Sequence, residues 1–186
     1  STLVIADVHI GYEEALNMQG ILVPRLQFEE MSKRMSKIFS ILQNKKIKTI
    51  VVNGDLKHEF GTISEQEWRN TLKFLDLLAK HCDEIALIKG NHDTILGPIA
   101  KKRNIKILDY FIVKAKSNIT QSEIRTMSEN NAKKSILPNP LKKIIKKSNN
   151  LLIIHGNKIP AKEVLQEASI IIIGHEHPAI SLRSGP

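Results

Sequence analysis

Ile85-Ala86-Leu87-Ile88-Lys89-Gly90-Asn91-His92-Asp93 is the stretch that decides the fold. Its first four residues form a short apolar run, which predicts a buried β-strand. Gly90 then permits a tight turn, which presents the polar residues 91–93 at the carboxyl end of that strand. Ligands of open α/β sheets bind at this end of the strands. Asn91 can coordinate a hard cation and His92 can transfer a proton, although an isolated Asn-His-Asp is more often an ordinary polar loop.

The same arrangement recurs along the chain, where four further apolar runs end in residues that can bind a metal ion. Five of the seven histidines lie at these strand ends, whereas solvated histidines would scatter over helices and loops, as His81 does. Side chains alternate along an extended strand, so two residues in an Asp-x-His or His-x-His pair can share one ion. The strands and the residues that follow them are 2–6 with Asp7 and His9, 49–52 with Asp55, 151–154 with His155, and 170–173 with His175 and His177.

This ligand set predicts a dinuclear metal centre. Two Asp, four His and one Asn are more than one ion can hold, so two ions that share a bridging carboxylate are expected. Asp55 is the best bridge, because it is the lone carboxylate at the end of a central strand. Imidazole, carboxylate and amide without thiolate suit Mn²⁺, Fe or Zn²⁺. Two such ions lower the pKa of a bridging water and hold a phosphoryl group, and His92 can then protonate the leaving oxygen.

Helical patterns separate the strands and predict an α/β sheet, parallel at least in its first half. The chain is predicted to form a single domain, 1–186, with a lysine-rich insertion at about 116–150. The insertion is interpreted as a mobile loop, a lid or a basic arm, with a solvated spacer as the alternative. Helices are predicted at 25–43, 96–103 and 160–167, and a further helix is predicted to begin with the capping box Ser64-Glu65-Gln66-Glu67. Two more strands are predicted at 105–108 and 110–113.

Composition restricts the partners. Twenty-eight Lys and Arg against nineteen Asp and Glu give a net charge of +9. This charge favours polyanionic partners such as nucleic acid. The alternative explanation is a general lysine bias of the proteome. Cys82 is the single cysteine and suits a reducing cytoplasm. The longest apolar run, 168–173, is far shorter than the ~20 residues that a membrane span needs, so no membrane partner is expected. The absence of Gly-x-x-x-x-Gly-Lys and Gly-x-Gly-x-x-Gly loops argues against ATPases and dinucleotide enzymes.

The ordered motifs resemble the full signature of the calcineurin-like metallophosphoesterases. That resemblance implies a four-layer αββα sandwich of two mixed sheets flanked by helices, with His92 as the catalytic histidine. The motifs are Asp7-x-His9, Gly54-Asp55, Gly90-Asn91-His92-Asp93, His155-Gly156 and Gly174-His175-x-His177. By the same resemblance, one ion would be held by Asp7, His9, Asp55 and His177, and a second by Asp55, Asn91, His155 and His175.

Residues 53–61 and 174–180 resemble the archaeal SbcD-related phosphoesterases and the bacterial ligase-associated ones. His58 matches a second active-site histidine of SbcD-type nucleases, which makes it a second candidate catalytic residue. Protein Ser/Thr phosphatases instead carry Asp-Arg-Gly after the Gly-Asp motif and a Glu after the Asn-His motif, and both are absent here. Relatives continue for several strands beyond the final His-x-His, whereas this sequence stops at Pro186, so an incomplete second sheet is expected.

These observations predict a phosphodiesterase that acts on nucleic acid or nucleotides by in-line attack of a metal-bridging hydroxide. Its cofactors would be two divalent ions, first of all Mn²⁺, with Fe, Zn²⁺ or Ni²⁺ as alternatives, and its location the cytoplasm. A small-molecule phosphomonoesterase or cyclic phosphodiesterase is the alternative function, and a non-catalytic scaffold of the same fold is a third. The oligomeric state is left open.

Overall fold

The computed structural model describes residues 1–43, 45–61, 63–114 and 149–177. The chain is a mixed α/β protein with two sheets flanked by helices. Most of the predicted lysine-rich insertion, residues 116–148, lies outside the described residues. No helix in the described ranges is long and apolar enough to cross a membrane.

In the part of the chain that the structure describes, seven strands form the two sheets, and the strands predicted there are confirmed. The first sheet has the order β1-β2-β3-β4, and all three of its strand pairings are parallel. The second sheet has the order β5-β6-β7. The first four strands are β1 (Thr2–Ala6), β2 (Thr49–Asn53), β3 (Glu84–Ile88) and β4 (Lys106–Leu108), and the others are β5 (Tyr110–Val113), β6 (Leu151–Ile154) and β7 (Ile170–Ile173).

The register of the first sheet positions the site. Ala6 pairs with Asn53, and Asn53 pairs with Ile88, so the last residues of three strands lie side by side. Because the strands are parallel, the segments that follow them leave the sheet at the same edge. Every residue of β2 is buried, as a central strand with both faces covered requires.

Five helices connect the strands within the described ranges, and four of them agree with the prediction to within two residues at each boundary that was assigned. They are α1 (Tyr12–Met18), α2 (Gln27–Leu42), α3 (Glu65–Ala79), α4 (Gly97–Lys102) and α5 (Lys162–Gln166). Helix α1 was not predicted. It buries only Ala15 and follows Gly11, which offers no side-chain cap, so it has neither an apolar stripe nor a start signal.

The core lies between the first sheet and helices α2 and α3. Ile50 and Val52 of β2 belong to one buried cluster with side chains from both helices. Each large apolar side chain buried in this way stabilises the fold by about 1.5–3 kcal/mol. The residues of α2 and α3 in this cluster are Met35, Phe39, Leu72, Phe74, Leu75 and Leu78.

Two compact units divide the chain. Among the described residues, the first unit holds 1–111, 153–159 and 172–177, and the second holds 112–114, 149–152 and 160–171. All the predicted site residues belong to the first unit. The single-domain organisation stays a prediction.

Candidate metal centre

The loops after β1 and β2 run side by side beyond the sheet. The backbone N–H of Asp7 donates to the carbonyl of Gly54 at 3.3 Å, and that of His9 donates to the carbonyl of Asp55 at 2.9 Å. Ile10 continues the same pairing as an isolated parallel bridge to the second loop. Extending the ladder in this way fixes the two loops, and with them the side chains they carry, relative to each other.

Four predicted ligands share an unusual backbone conformation. Asp7, His9, Asp55 and His175 have φ values of 51°, 48°, 48° and 66°, and Asn104 is the only other described non-glycine residue with a positive φ. Residues other than glycine are uncommon in this region and concentrate at functional sites, where the surrounding structure holds them. The sequence argument for Asp7 and His9 assumed extended backbone. That assumption was wrong, although the two side chains do lie together.

Carboxylate and imidazole atoms meet in two groups. In the first ligand group, Asp7, His9 and His177, the ligand atoms lie within 4.8 Å of one another, and the same holds for the second ligand group, Asp55, His155 and His175. The Nε2 atom of His177 lies 3.9 Å from Oδ1 of Asp7, and Nε2 of His9 lies 3.9 Å from Oδ2 of Asp55. These separations are too long for hydrogen bonds. They fit two donors on one ion, because metal–ligand bonds of about 2.1 Å allow a span of about 4.2 Å.

The second ligand group supplies the strongest indication of a cation. His155 is buried, and its Nδ1 lies 3.1 Å from the carbonyl of Asn53, so Nδ1 carries a proton in either charge state of the ring. Its Nε2 faces two oxygens, Oδ2 of Asp55 at 3.2 Å and Oδ1 of Asn91 at 3.1 Å. An imidazole nitrogen this close to two acceptor oxygens requires a proton or a metal ion between them.

The charges of this group favour such a cation. Burial opposes a charge on His155, but its hydrogen bonds with the Asp55 carboxylate and the Asn53 carbonyl raise the pKa of the imidazole. Burial likewise opposes ionisation of Asp55, but hydrogen bonds from His155 and from the backbone of His92 lower the pKa of this carboxyl. Asp55 therefore carries a negative charge at neutral pH, and a metal ion would replace the proton on His155.

Two glycines allow these close approaches. Gly54 has a φ of +77°, and a Cβ atom there would overlap the ring of His155. A Cβ atom on Gly90 would overlap the carboxylate of Asp55. The glycines in the Gly-Asp and Gly-Asn-His motifs are thus needed for space beside the ligands, and at Gly54 also for the backbone conformation.

A third cluster contains both predicted catalytic residues. In this histidine group, His9, His58 and His92, the ligand atoms again lie within 4.8 Å of one another. The rings of His9 and His92 have centroids 4.9 Å apart, and the rings of His58 and His92 stack at 5.3 Å. Nδ1 of His92 is hydrogen-bonded to the carbonyl of His58. Burial is the main cause that lowers the pKa of both His9 and His58, so both imidazoles are neutral at pH 7.

The family called calcineurin-like phosphoesterase matches residues 1–179. The chain belongs to that family. Its members are metal-dependent hydrolases of phosphoric esters, so this protein is such an enzyme. No curated protein matches the chain. Among solved structures, a protein of unknown function from Aquifex aeolicus, AQ665, is 16% identical with a TM-score of 0.48, and the alignment covers 96% of this chain and 80% of that one.

The phosphoesterase brings together all nine residues predicted for its site. Six of them form the two ligand groups, and Asn91 joins the second group through its 3.1 Å contact with His155. The other two, His58 and His92, lie beside the first group through His9. Which ion each residue binds stays a prediction.

Two buried acids hold the loops of this phosphoesterase, and sequence reasoning gave neither of them that role. Asp93 accepts hydrogen bonds from the backbone N–H groups of Gly90 at 3.0 Å and Leu56 at 3.1 Å, so it joins the loops after β3 and β2. Glu67 accepts from those of His58 at 2.9 Å and Glu59 at 3.1 Å. Burial is the main cause that raises the pKa of both carboxyls.

The sequence did carry a signal for each of these acids. Asp93 follows Gly90 by three residues, a spacing at which an Asp side chain can accept from the backbone of its own turn. Glu67 was assigned only to the capping box, and Ser64 Oγ does accept its backbone N–H at 3.0 Å. Its contacts with His58 and Glu59 could not be inferred from the sequence, because they depend on where the loop after β2 lies.

Proposed function

We propose that this phosphoesterase uses two divalent ions to hydrolyse phosphodiester bonds in nucleic acid or nucleotides. The observation that carries the proposal is the convergence of acceptor atoms from His155, Asp55 and Asn91, directly beside the first ligand group. The first ion would be held by Asp7, His9, Asp55 and His177. The second would be held by Asp55, Asn91, His155 and His175.

Asp55 is suited to bridge the two ions. Its Oδ2 lies 3.2 Å from Nε2 of His155 and 3.9 Å from Nε2 of His9, so one oxygen faces both ligand groups. Its Oδ1 accepts the backbone N–H of His92 at 3.0 Å, which fixes the orientation of the carboxylate. When bound, the ions would activate water and hold the phosphoryl oxygens.

His92 is suited to donate the proton that the leaving oxygen needs. The hydrogen bond between its Nδ1 and the His58 carbonyl fixes the ring and leaves Nε2 for substrate. His58 supports this ring twice, through its carbonyl and by stacking at 5.3 Å. His58 therefore acts in the proposal as a positioning residue for His92 as well as a candidate contact to substrate.

The finer assignments rest on charge, donor chemistry and resemblance. The net charge of +9 and the SbcD-like position of His58 favour nucleic acid or a nucleotide as substrate. Nitrogen and oxygen donors without thiolate favour Mn²⁺, with Fe, Zn²⁺ or Ni²⁺ as alternatives. The single cysteine, Cys82, is consistent with the proposed cytoplasmic location.

Metal content and an activity panel test the proposal together. We expect about two ions per chain by mass spectrometry after loading with Mn²⁺. We also expect Mn²⁺-dependent hydrolysis of bis(p-nitrophenyl) phosphate and single-stranded DNA that chelation abolishes. Hydrolysis of p-nitrophenyl phosphate faster than that of either diester would favour a phosphomonoesterase. Two bound ions without hydrolysis of any of these esters would refute the proposed function.

A further inference from the structure

Two exposed aromatic rings flank the histidine pair His58 and His92. Phe60 is 57% exposed, and its ring centroid lies 3.8 Å from that of His92 with an interplanar angle of 34°. Tyr12 is 47% exposed and packs edge-on against His58 at 4.8 Å. The four rings thus follow one another in the order Tyr12, His58, His92, Phe60. Single exposed apolar side chains are common on protein surfaces, but exposed rings that continue a row of histidine rings form a contiguous patch of the kind that marks binding sites.

The loop that carries Phe60 is anchored on both sides of the ring. Before it, the backbone N–H groups of His58 and Glu59 donate to the buried carboxylate of Glu67. After it, the N–H of Gly61 donates to Oγ1 of Thr94 at 3.2 Å. Phe60 is therefore held in the open by fixed neighbours, so a ligand that stacks on it would lose little loop entropy.

We infer that Phe60 and Tyr12 form an aromatic platform that binds a planar ring of the substrate, either a nucleobase or a simple aryl group. The inference rests on the proposed function, in which His92 protonates the leaving oxygen. The group attached to that oxygen must then lie against His92, and Phe60 is the exposed surface next to it. A ring there would stack on Phe60 and cover apolar surface that is now in water.

The competing explanation is that Phe60 only orients His92. In that case its loss would lower kcat for all substrates equally and leave their relative affinities unchanged. A platform instead discriminates between ligands with and without a ring. Stacking on aromatic side chains strengthens the binding of a base by about fivefold to 150-fold.

Equilibrium binding to the Mn²⁺-loaded full chain tests the platform without requiring turnover. Calorimetry would compare adenosine 5′-monophosphate, phenyl phosphate and ribose 5-phosphate, with phosphate release monitored. We expect the adenosine nucleotide to bind at least about fivefold more tightly than ribose 5-phosphate. In Phe60→Ala and Phe60→Leu the ratio of the two affinities, adenosine 5′-monophosphate over ribose 5-phosphate, should fall to about one. Ribose 5-phosphate itself should bind these variants within about twofold of wild type.

Tyr12→Ala should reduce the same ratio by less, because Tyr12 lies beside His58 and not beside His92. Phe60→Tyr retains a ring face and should restore the preference. Ile41→Ala is the matched control, since Ile41 is 72% exposed and lies at the end of α2 that leads to the amino end of β2. It should change neither affinity. If phenyl phosphate and the nucleotide both bind more tightly than ribose 5-phosphate by the same factor, the platform accepts any planar ring. If only the nucleotide binds more tightly, the platform is a base site.

A wild-type ratio near one, or a ratio that Phe60→Ala leaves unchanged, would overturn the platform. A uniform loss of kcat across ligands with an unchanged ratio would do the same and would assign Phe60 to the support of His92. Ring-dependent binding that Phe60→Ala abolishes, in a protein that hydrolyses no diester, would refute the proposed function and leave the platform standing.

Discussion

The two edges of the first sheet are both polar, but in the described part of the chain only the carboxyl edge buries charged side chains. At the carboxyl edge, Asn53, Asp55 and Asp93 are buried and hydrogen-bonded to backbone groups of Ile154, His92 and Leu56, which belong to other segments of the chain. At the amino edge, the Lys46–Asp83 ion pair joins side chains that are 80% and 53% exposed. Removing a charged group from water is costly even when the group is hydrogen-bonded, so the burial of several such groups at one edge indicates a functional role. Burial, and not the number of charges, distinguishes the functional edge.

The backbone shows the same contrast. The loops at the carboxyl edge hold Asp7, His9 and Asp55 in left-handed conformations. At the amino edge, the carbonyl of Ser1 accepts the N–H groups of Lys48 and Thr49, and none of these residues has a positive φ. Conformations that cost about 1–3 kcal/mol each persist only where the surrounding structure fixes them. Substitutions at the carboxyl edge should therefore change function, and those at the amino edge should change stability slightly.

Asp55→Asn should have the largest effect. Both ligand groups face this carboxylate, so its charge is needed for both ions, and we expect kcat/KM to fall by at least about 10³-fold. Bound metal should fall below one ion per chain, measured by mass spectrometry. Asn can still accept the N–H of His92, so the circular dichroism spectrum should stay native. Asp83→Asn is the control at the opposite edge, and equal losses in both variants would remove the distinction between the edges.

His92→Asn should lower kcat by about 10²–10⁴-fold with metal content unchanged, because it removes a proton donor and no ligand. Steady-state kinetics with a diester and metal analysis would be measured on the same preparation. His81→Asn is the matched control, since His81 stacks on Phe39 in α2 at 3.9 Å and lies outside the site. Hydrolysis that persists in His92→Asn at full metal occupancy would show that its assigned role is wrong.

Asp93→Ala should lower the free energy of unfolding by about 3 kcal/mol, because it leaves buried N–H groups of Gly90 and Leu56 without an acceptor. Urea denaturation followed by circular dichroism would measure this loss. Asp83→Ala removes a half-exposed carboxylate from the amino edge and should cost less than about 0.5 kcal/mol. Similar losses for the two alanine variants would contradict the contrast between buried and exposed polar groups.

Asp76→Asn should have the smallest effect. Arg103 donates two hydrogen bonds to Asp76, at 2.6 and 2.8 Å, and the side chain of Asp76 is about half exposed. These hydrogen bonds lower the pKa of Asp76, so the pair contributes stability above the unfolded pKa of about 4 and loses it as the pH falls through the lower folded value. We expect a loss of about 0.5 kcal/mol at pH 7. The difference in the free energy of unfolding between variant and wild type should shrink as the pH falls below about 4. A difference that grew instead would contradict the stabilising role of the ionised Asp76.

The ligand residues of the site could be predicted from the sequence more fully than the residues that hold its loops in place. Strand ends can be read from short apolar runs, and parallel strands bring those ends to one edge, so Asp7, Asp55 and Asn91 could be placed together in advance. The anchoring roles of Asp93 and Glu67 were missed, because their contacts with Leu56, His58 and Glu59 depend on where the loop after β2 lies. Helix α1 was missed because its residues bury almost nothing and lack a capping side chain.

The sequence alone determined which chemical groups are present and on which strand ends they lie, because periodicity, glycine turns and motif order are local properties. The tertiary structure decided how those groups face one another. It turned one nitrogen of His155 towards both Asn91 and Asp55, imposed left-handed backbone on four ligands, and set Phe60 against His92 in the open. These features depend on side chains and loops far apart in the chain, and such distances are fixed only when the whole sheet is packed.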